Sequence, residues 1–268
     1  MKFKTIFLIF NIVLIFSFAI IYIMPLIMLG WEYTRLFWTK NWFLPVIFML
    51  VIGILNTYFI INWKLFHYLE KEDWESLITH IEGKLYREGR FREQFIRILV
   101  NAYLVKSDIS AIEKVEKEIR NRKPSLLPKF ALQLGIPHLL RNEPRDMLDY
   151  YGAFLRSAPG QDRDWIQWNY AFALLLNEKR EESKEELRVL SEKISEPLLK
   201  LLVLYLLDSF SRSDDAVKDL VDSGRKELRE KAPSGSWEQI TERNRMNVQV
   251  VVLSKLIKDA QNWLFGNT

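Results

Sequence analysis

LQLGIPHLLRNEPRDMLDYYGAFLRSAP, Leu132–Pro159, decides how the chain is read. It carries His138, Glu143, Asp146, Asp149 and the adjacent Tyr150 and Tyr151, so it is either a strip of catalytic chemistry or one copy of a structural repeat. Its apolar residues recur at spacings of three and four, which is the helical period. The prolines at 137, 144 and 159 punctuate it. Because proline removes a donor and clashes with the preceding turn, the break Asn142-Glu143-Pro144 predicts two helices, 125–141 and 144–157.

The same pattern extends on both sides. Trp74, Leu77, Ile78, Ile81 and Leu85 recur at helical spacing. Short breaks fall at Gly89, Ser107-Asp108, Ala158-Pro159-Gly160 and Ser211-Arg212-Ser213. They predict further helices at 91–106, 108–121, 163–177, 180–194, 197–211 and 213–229, joined as αα-hairpins. Val248–Leu253 is the most strand-like run, yet it lies inside a longer helical pattern, Trp237–Leu264. It is expected to be part of one buried C-terminal helix, opened by a capping box from Ser236 and Gln239. The chain is therefore expected to be all-α.

Helix pair after helix pair calls for a search for repeats. With Pro159 set at position 32 of a 34-residue unit, Leu134-Gly135 fall at positions 7 and 8, His138 at 11, Met147 at 20, Tyr151 at 24 and Phe154 at 27. In the preceding copy Ile96, Leu99 and Tyr103 take positions 4, 7 and 11, with Ile112 at 20 and Pro124 at 32. Trp165, Trp168 and Phe172 open the next copy, followed by Ser183, Leu187 and Leu190 after an extra pair of residues within Glu178–Glu182. A fourth copy covers Leu199–Leu228, with Ala216 as its small residue. This pattern resembles the tetratricopeptide repeat over residues 91–231. The resemblance implies an α-solenoid of about four helix pairs, in which small residues let antiparallel helices approach and first helices line a concave groove. It departs from the family in having glycine at position 8 only once and large residues at several position-20 sites.

In some members of that family the groove holds the carboxylate of a partner peptide through basic and amide side chains. The matching positions here are Arg97, Asn101, Gln133, Arg163 and Gln167, with Tyr170 as an aromatic neighbour. The resemblance thus implies protein partners, docked as a peptide or helix.

Thr5–Leu29 and Asn41–Trp63 contain no charge. Each exceeds the roughly 20 helical residues that cross a bilayer core. The first run is longer than the 7–15 apolar residues of a signal peptide, so two transmembrane helices are expected. Asn11 and Asn56 within them are expected to bond across helices, between the two spans or to a partner subunit. Lys2 and Lys4 precede the spans; Lys64, Lys71 and Lys84 follow them. The loop between holds Glu32, Arg35 and Lys40, so the positive-inside bias favours a cytoplasmic C-terminal region, with the opposite side kept open. The expected layout is a two-span hairpin at 1–63, a juxtamembrane helix at 64–90, repeats at 91–231 and a capping helix at 232–268, held in a bacterial inner membrane.

Composition removes several function classes. Of the net charge of +4, +3 lies in the first 63 residues. The rest is near neutral, without the basic footprint of a nucleic-acid binder. Cysteine is absent, which excludes disulfides, thiolate metal sites and thiol nucleophiles. The chain shows no P-loop, GxSxG, GxGxxG or HExxH motif, and His138 stands at a packing position. Acidic pairs such as Glu181-Glu182 and Glu185-Glu186 sit beside lysines and arginines at helical spacing, as on a solvated face. No cofactor, no metal and no catalysis are expected. The function expected is a membrane-anchored scaffold that positions partner proteins. The alternative is an accessory subunit of a transporter, enzyme or other membrane complex, assembled through its spans. The layout also bears a loose resemblance to repeat proteins of the collar around spirochaete flagellar motors.

Overall fold

A computed structural model describes residues 3–141, 143–244 and 247–266. Asn142 of the break before Pro144, Lys2, and Arg245-Met246 of the expected C-terminal helix lie outside them. All described elements are helical, and no strand forms among the described residues. The chain divides into two compact units, residues 1–90 and 91–268.

In the first unit, α1 (Phe3–Lys40) and α2 (Phe43–Ile61) contain the two apolar helices long enough to cross a membrane, Phe3–Met28 and Phe43–Ile61. They run antiparallel. Phe7 stacks on Phe59 at 4.4 Å and Phe18 on Phe48 at 3.9 Å. Asn56 Nδ2 donates to Asn11 Oδ1 at 2.9 Å, which joins the two helices side chain to side chain.

The segment after the first apolar run, expected as a plain loop, is instead helical and folded back. Gly30 breaks α1 with φ 79° and ψ 179°, a conformation that glycine alone adopts without strain. At 1.5 Å per residue, Tyr22 and Trp38 would stand about 24 Å apart in a continuous helix. Their rings stack at 4.4 Å, so residues 31–40 return alongside the end of the first apolar helix.

Residues 63–90 form two short helices rather than one. These are α3 (Trp63–Glu70) and α4 (Trp74–Glu82), the latter capped by Asp73 Oδ1 on the Ser76 amide at 3.1 Å and extended by a π-turn at Gly83–Arg87.

The second unit is a stack of helix pairs: α5 (Glu93–Val105) with α6 (Ile109–Arg122), α7 (Leu127–Leu134) and α8 (Ile136–Arg141) with α9 (Pro144–Phe154), α10 (Gly160–Leu176) with α11 (Arg180–Lys193), and α12 (Pro197–Leu207) with α13 (Asp215–Lys231). Each predicted helix of residues 91–229 is present, with ends shifted by a few residues. The exception is 125–141, which divides into a 3-10 turn at Pro124–Leu126, then α7 and α8 around Gly135. Asp108 and Asp214 cap α6 and α13 through backbone amides, and Pro144 and Pro197 open α9 and α12 in the first turn, where a missing N–H costs nothing. The first helices form a row, α5 against α7, α7 against α10 and α10 against α12, while α6, α9 and α11 each pack on the first helix of the following pair.

Small residues sit at the close approaches. A Cβ on Gly135 would lie 2.8 Å from the Tyr150 ring and from the Tyr151 hydroxyl, and one on Gly224 would lie 2.7 Å from Leu204. Ser183 Oγ donates to the Ala171 carbonyl at 2.8 Å, tying α11 to α10. Trp168, Tyr151, Phe130, Ile96 and Leu99 are completely buried. Each such apolar side chain contributes about 1.5–3 kcal/mol.

The C-terminal region corrects a second expectation. The single helix expected over 237–264 is three: α14 (Trp237–Arg243), α15 (Val248–Val252) and α16 (Ser254–Phe265). Asn247 begins α15 by accepting from the Gln249 amide at 3.0 Å. The capping box does not form, since Ser236 Oγ donates to the Pro233 carbonyl instead. The breaks let α16 cover α12 and α13 while α15 reaches α7 and α8.

Candidate functional site

The row of first helices is the surface on which the sequence places the candidate residues. Arg97 and Asn101 lie one turn apart on α5, both exposed, and no hydrogen bond or ion pair holds either among the described residues. The Arg97 charge acts on Asp162 at the start of α10. Burial pushes the Asp162 carboxyl up, and Arg97 partly offsets it.

The other four candidates are engaged elsewhere. Gln167 Nε2 donates to Glu186 Oε2 of α11 at 2.8 Å. Arg163 Nε donates to the Ala158 carbonyl at 3.3 Å. The Tyr170 ring lies against Gly152 of α9, 3.2 Å from where a Cβ would stand. Gln133 is half-buried, with an Oε1 that meets no donor. No hydrogen bond or ion pair joins any two of the six among the described residues.

A segment of the chain itself, α15, packs against α7, α8 and α10. Gln249 of α15 is 1% exposed and Asn169 of α10 is 0% exposed, so their amides must find partners inside the protein. Asn169 Nδ2 donates to Gln249 Oε1 at 3.2 Å and to the Trp165 carbonyl at 2.9 Å. Gln249 Nε2 donates to the Leu132 carbonyl of α7 at 3.2 Å. The neighbouring Tyr151 hydroxyl donates to the Gly135 carbonyl at 2.9 Å, and burial raises it far above the usual phenol range. The seat is not fully satisfied, because Asn169 Oδ1 and Trp168 Nε1 are buried without partners. Sequence reasoning missed both amides. The available signal was an amide set among apolar residues, Asn169 in WIQWNYAF and Gln249 in VQVVV.

The C-terminal helix is latched at its far end. Arg225 Nη2 donates to the Trp263 carbonyl at 2.7 Å, and Arg229 Nε donates to the Leu264 carbonyl at 2.7 Å. The Arg225 guanidinium also lies 4.5 Å from the Trp263 ring centre, whose Nε1 donates to Asp208 Oδ2 at 2.9 Å. Cations on the last carbonyls of a helix satisfy its free acceptors and its dipole.

His138 does more than pack. Its ring stacks on Tyr150 at 4.1 Å, and its two nitrogens reach Asp146 Oδ2 at 2.5 Å and Glu116 Oε2 at 3.1 Å. Burial disfavours its charge, but the two carboxylates outweigh that and hold its pKa above the ordinary 6.5. Burial likewise raises Glu116, and the His138 and Arg120 hydrogen bonds bring it below its ordinary 4.5. The cluster is an ion-paired clamp joining α6, α8 and α9. Among the described residues no three histidine, aspartate or glutamate side chains are placed to hold a metal ion.

Comparison with known proteins bears on this same region. The chain is 26% identical over 259 residues to an uncharacterized protein of Treponema pallidum (strain Nichols), a match covering 92% of this chain and 81% of that protein. So little of the chain falls outside the match that the second apolar helix must lie within it. No solved structure matches. The family described as "Uncharacterised Treponema protein" matches residues 111–266, which run from α6 through the latched C-terminal helix, and the chain belongs to that family.

Proposed function

We propose that this protein is a membrane-anchored scaffold of the tetratricopeptide-like type, which binds partner proteins along its row of first helices and holds them at a membrane. The observation that carries the reading is an occupied surface: α15 already lies on α7, α8 and α10, with the Gln249 amide bonded to Asn169 and to the Leu132 carbonyl. A surface that seats a short helix of its own chain has the shape and the hydrogen-bonding groups to seat a partner's helix. Arg97 and Asn101 on α5 remain open as donors for a carboxylate. Tethering at a bilayer raises the effective concentration of whatever is bound. The test is proximity cross-linking in cells with the full-length chain and an Arg97→Ala, Asn101→Ala variant. The expected result is loss of the cross-linked proteins with the fold intact. An unchanged set removes α5 from the binding face.

A second reading is an accessory subunit assembled through its apolar helices. It is favoured by a shallow apolar groove of about 500 Å³ along α2, lined by Val46, Met49, Leu50, Gly53, Ile54 and Thr57. Against it, the Asn11 and Asn56 amides are spent on each other. Deleting residues 91–268 discriminates: the scaffold loses its partners, whereas the subunit keeps them.

A further inference from the structure

We propose that the fold-back at Gly30 builds a phospholipid site, in which the phosphate of a membrane glycerophospholipid is held by Arg35 and Trp38. The proposal rests on reading Phe3–Met28 and Phe43–Ile61 as membrane spans. A cleft of about 570 Å³ opens between the end of the first apolar helix and the returning segment, lined by Tyr22, Leu26, Trp31, Arg35, Trp38 and Thr39 among others. That volume suits one small ligand or part of a larger one.

Its two walls differ in chemistry. Tyr22 and Leu26 belong to the last turns of the apolar helix, whereas Trp31, Arg35, Trp38 and Thr39 lie on the returning segment. Helix lengths set the depth. Phe3–Met28 extends about 39 Å and Phe43–Ile61 about 28 Å at 1.5 Å per residue, so the first overshoots a hydrocarbon core of about 30 Å by several residues. The overshoot is the part that the returning segment covers. It therefore lies in the headgroup zone, where tryptophan and tyrosine rings are favoured.

The lining of the cleft includes donors without a protein acceptor, among them those of Arg35 and Trp38. Trp38 Nε1 is buried and has no hydrogen-bond partner. A buried orphan donor is costly, and a ligand acceptor would satisfy it. Arg35 forms no ion pair among the described residues, and the Thr34 and Thr39 hydroxyl protons are already given to the Gly30 and Arg35 carbonyls at 2.8 and 2.7 Å. A guanidinium and an indole N–H beside an apolar wall match a phosphate oxygen above an acyl chain. Arginine pairs with phosphate through two parallel hydrogen bonds.

A phosphate can come from a lipid or from solution, and the experiment separates the two. The full-length chain is placed in nanodiscs containing a phosphatidylglycerol with a photoreactive acyl chain, and adducts are mapped by mass spectrometry. Adducts concentrated on residues 22–39, reduced about tenfold by Arg35→Gln with Trp38→Phe and untouched by excess glycerol phosphate, are expected. Displacement by glycerol phosphate would make it a site for soluble phosphates and overturn the lipid assignment. Adducts spread evenly along both apolar helices, unchanged in the variant, would overturn the site while leaving the spans intact. Alkaline carbonate extraction of the chain from native membranes would overturn the spans, and the site with them.

Discussion

Gln249 and Asn169, 80 residues apart, meet amide to amide at 3.2 Å and pin the short helix α15 onto the row of first helices. Gln249→Leu keeps the volume and removes both hydrogen bonds. It leaves the Leu132 carbonyl unpaired, at a cost of about 1–3 kcal/mol. Hydrogen exchange over residues 237–266 is expected to quicken while α5 and α6 stay protected. Equal protection throughout would show that α16 alone holds the C-terminus in place.

The Asn56 to Asn11 bond ties the two apolar helices together side chain to side chain. A double-mutant cycle with Asn11→Leu and Asn56→Leu in detergent micelles is expected to give a coupling of about 1 kcal/mol, in the range measured for bonds of this kind between membrane helices. Additive losses would mean that the Phe7–Phe59 and Phe18–Phe48 stacks hold the hairpin without the amides.

Much of this architecture is legible in the sequence because it follows from local rules. Charge-free runs mark the apolar helices, and Pro144, Pro159 and Pro197 mark helix starts or breaks that any helix must respect. What escaped is non-local or depends on one backbone angle. Gly30 looks like an ordinary glycine at the end of an apolar run, and only its positive φ shows that the chain doubles back there. The period of three and four continues through Val248–Leu253, so the breaks at Asn247 and Leu253 leave no trace in it. They arise because α15 reaches Leu132 and Asn169, a tertiary demand that periodicity does not record. For the candidate site, the resemblance to the tetratricopeptide repeat picked out Arg97 and Asn101, which are exposed. It gave no warning that Gln167 would turn to Glu186, because that depends on how α11 packs.

His138 makes the helical unit sensitive to pH with a definite sign. Its pKa is raised in the folded state, so its stabilisation is full below about 6.5 and is lost as pH rises through the folded value. Glu116 is lowered, so its contribution is full above about 4.5 and is lost as pH falls through its folded value. Thermal stability is expected to peak between these two and to decline toward pH 8. His138→Gln should flatten the alkaline limb and lower the peak by about 2 kcal/mol. A wild-type melt unchanged between pH 6 and 8 would show that the Asp146 and Glu116 contacts do not govern the charge of the ring.

Gly135 and Gly224 test the close approaches differently. Alanine at 135 meets the Ala131 carbonyl at 2.9 Å as well as two tyrosines, and backbone cannot move aside. Alanine at 224 meets only the Leu204 side chain. Chemical denaturation should show a loss of about 3 kcal/mol for Gly135→Ala and about 1 kcal/mol for Gly224→Ala. The reverse order would mean that the junction of α7 and α8 is less tightly apposed to α9 than α12 is to α13.

Sidedness follows from a single thiol. The chain has no cysteine and Ser234 is exposed, so Ser234→Cys can be probed in intact cells with an impermeant reagent. Labelling only after lysis is expected from the lysines that flank the apolar helices. Labelling before lysis would move the search for partners to the other side of the membrane.

The contact between Gln249 and the Leu132 carbonyl spans 117 residues of chain. A ribosome adding 5–20 residues per second needs roughly 6–25 s to supply the second partner after the first has emerged. Until then the Leu132 carbonyl has no amide to accept from, and the surface around Asn169 is bare. A chain synthesised only as far as α10 therefore differs from one that carries α15 at a place that chaperones and proteases can sense, and translation of α15 is what removes the difference.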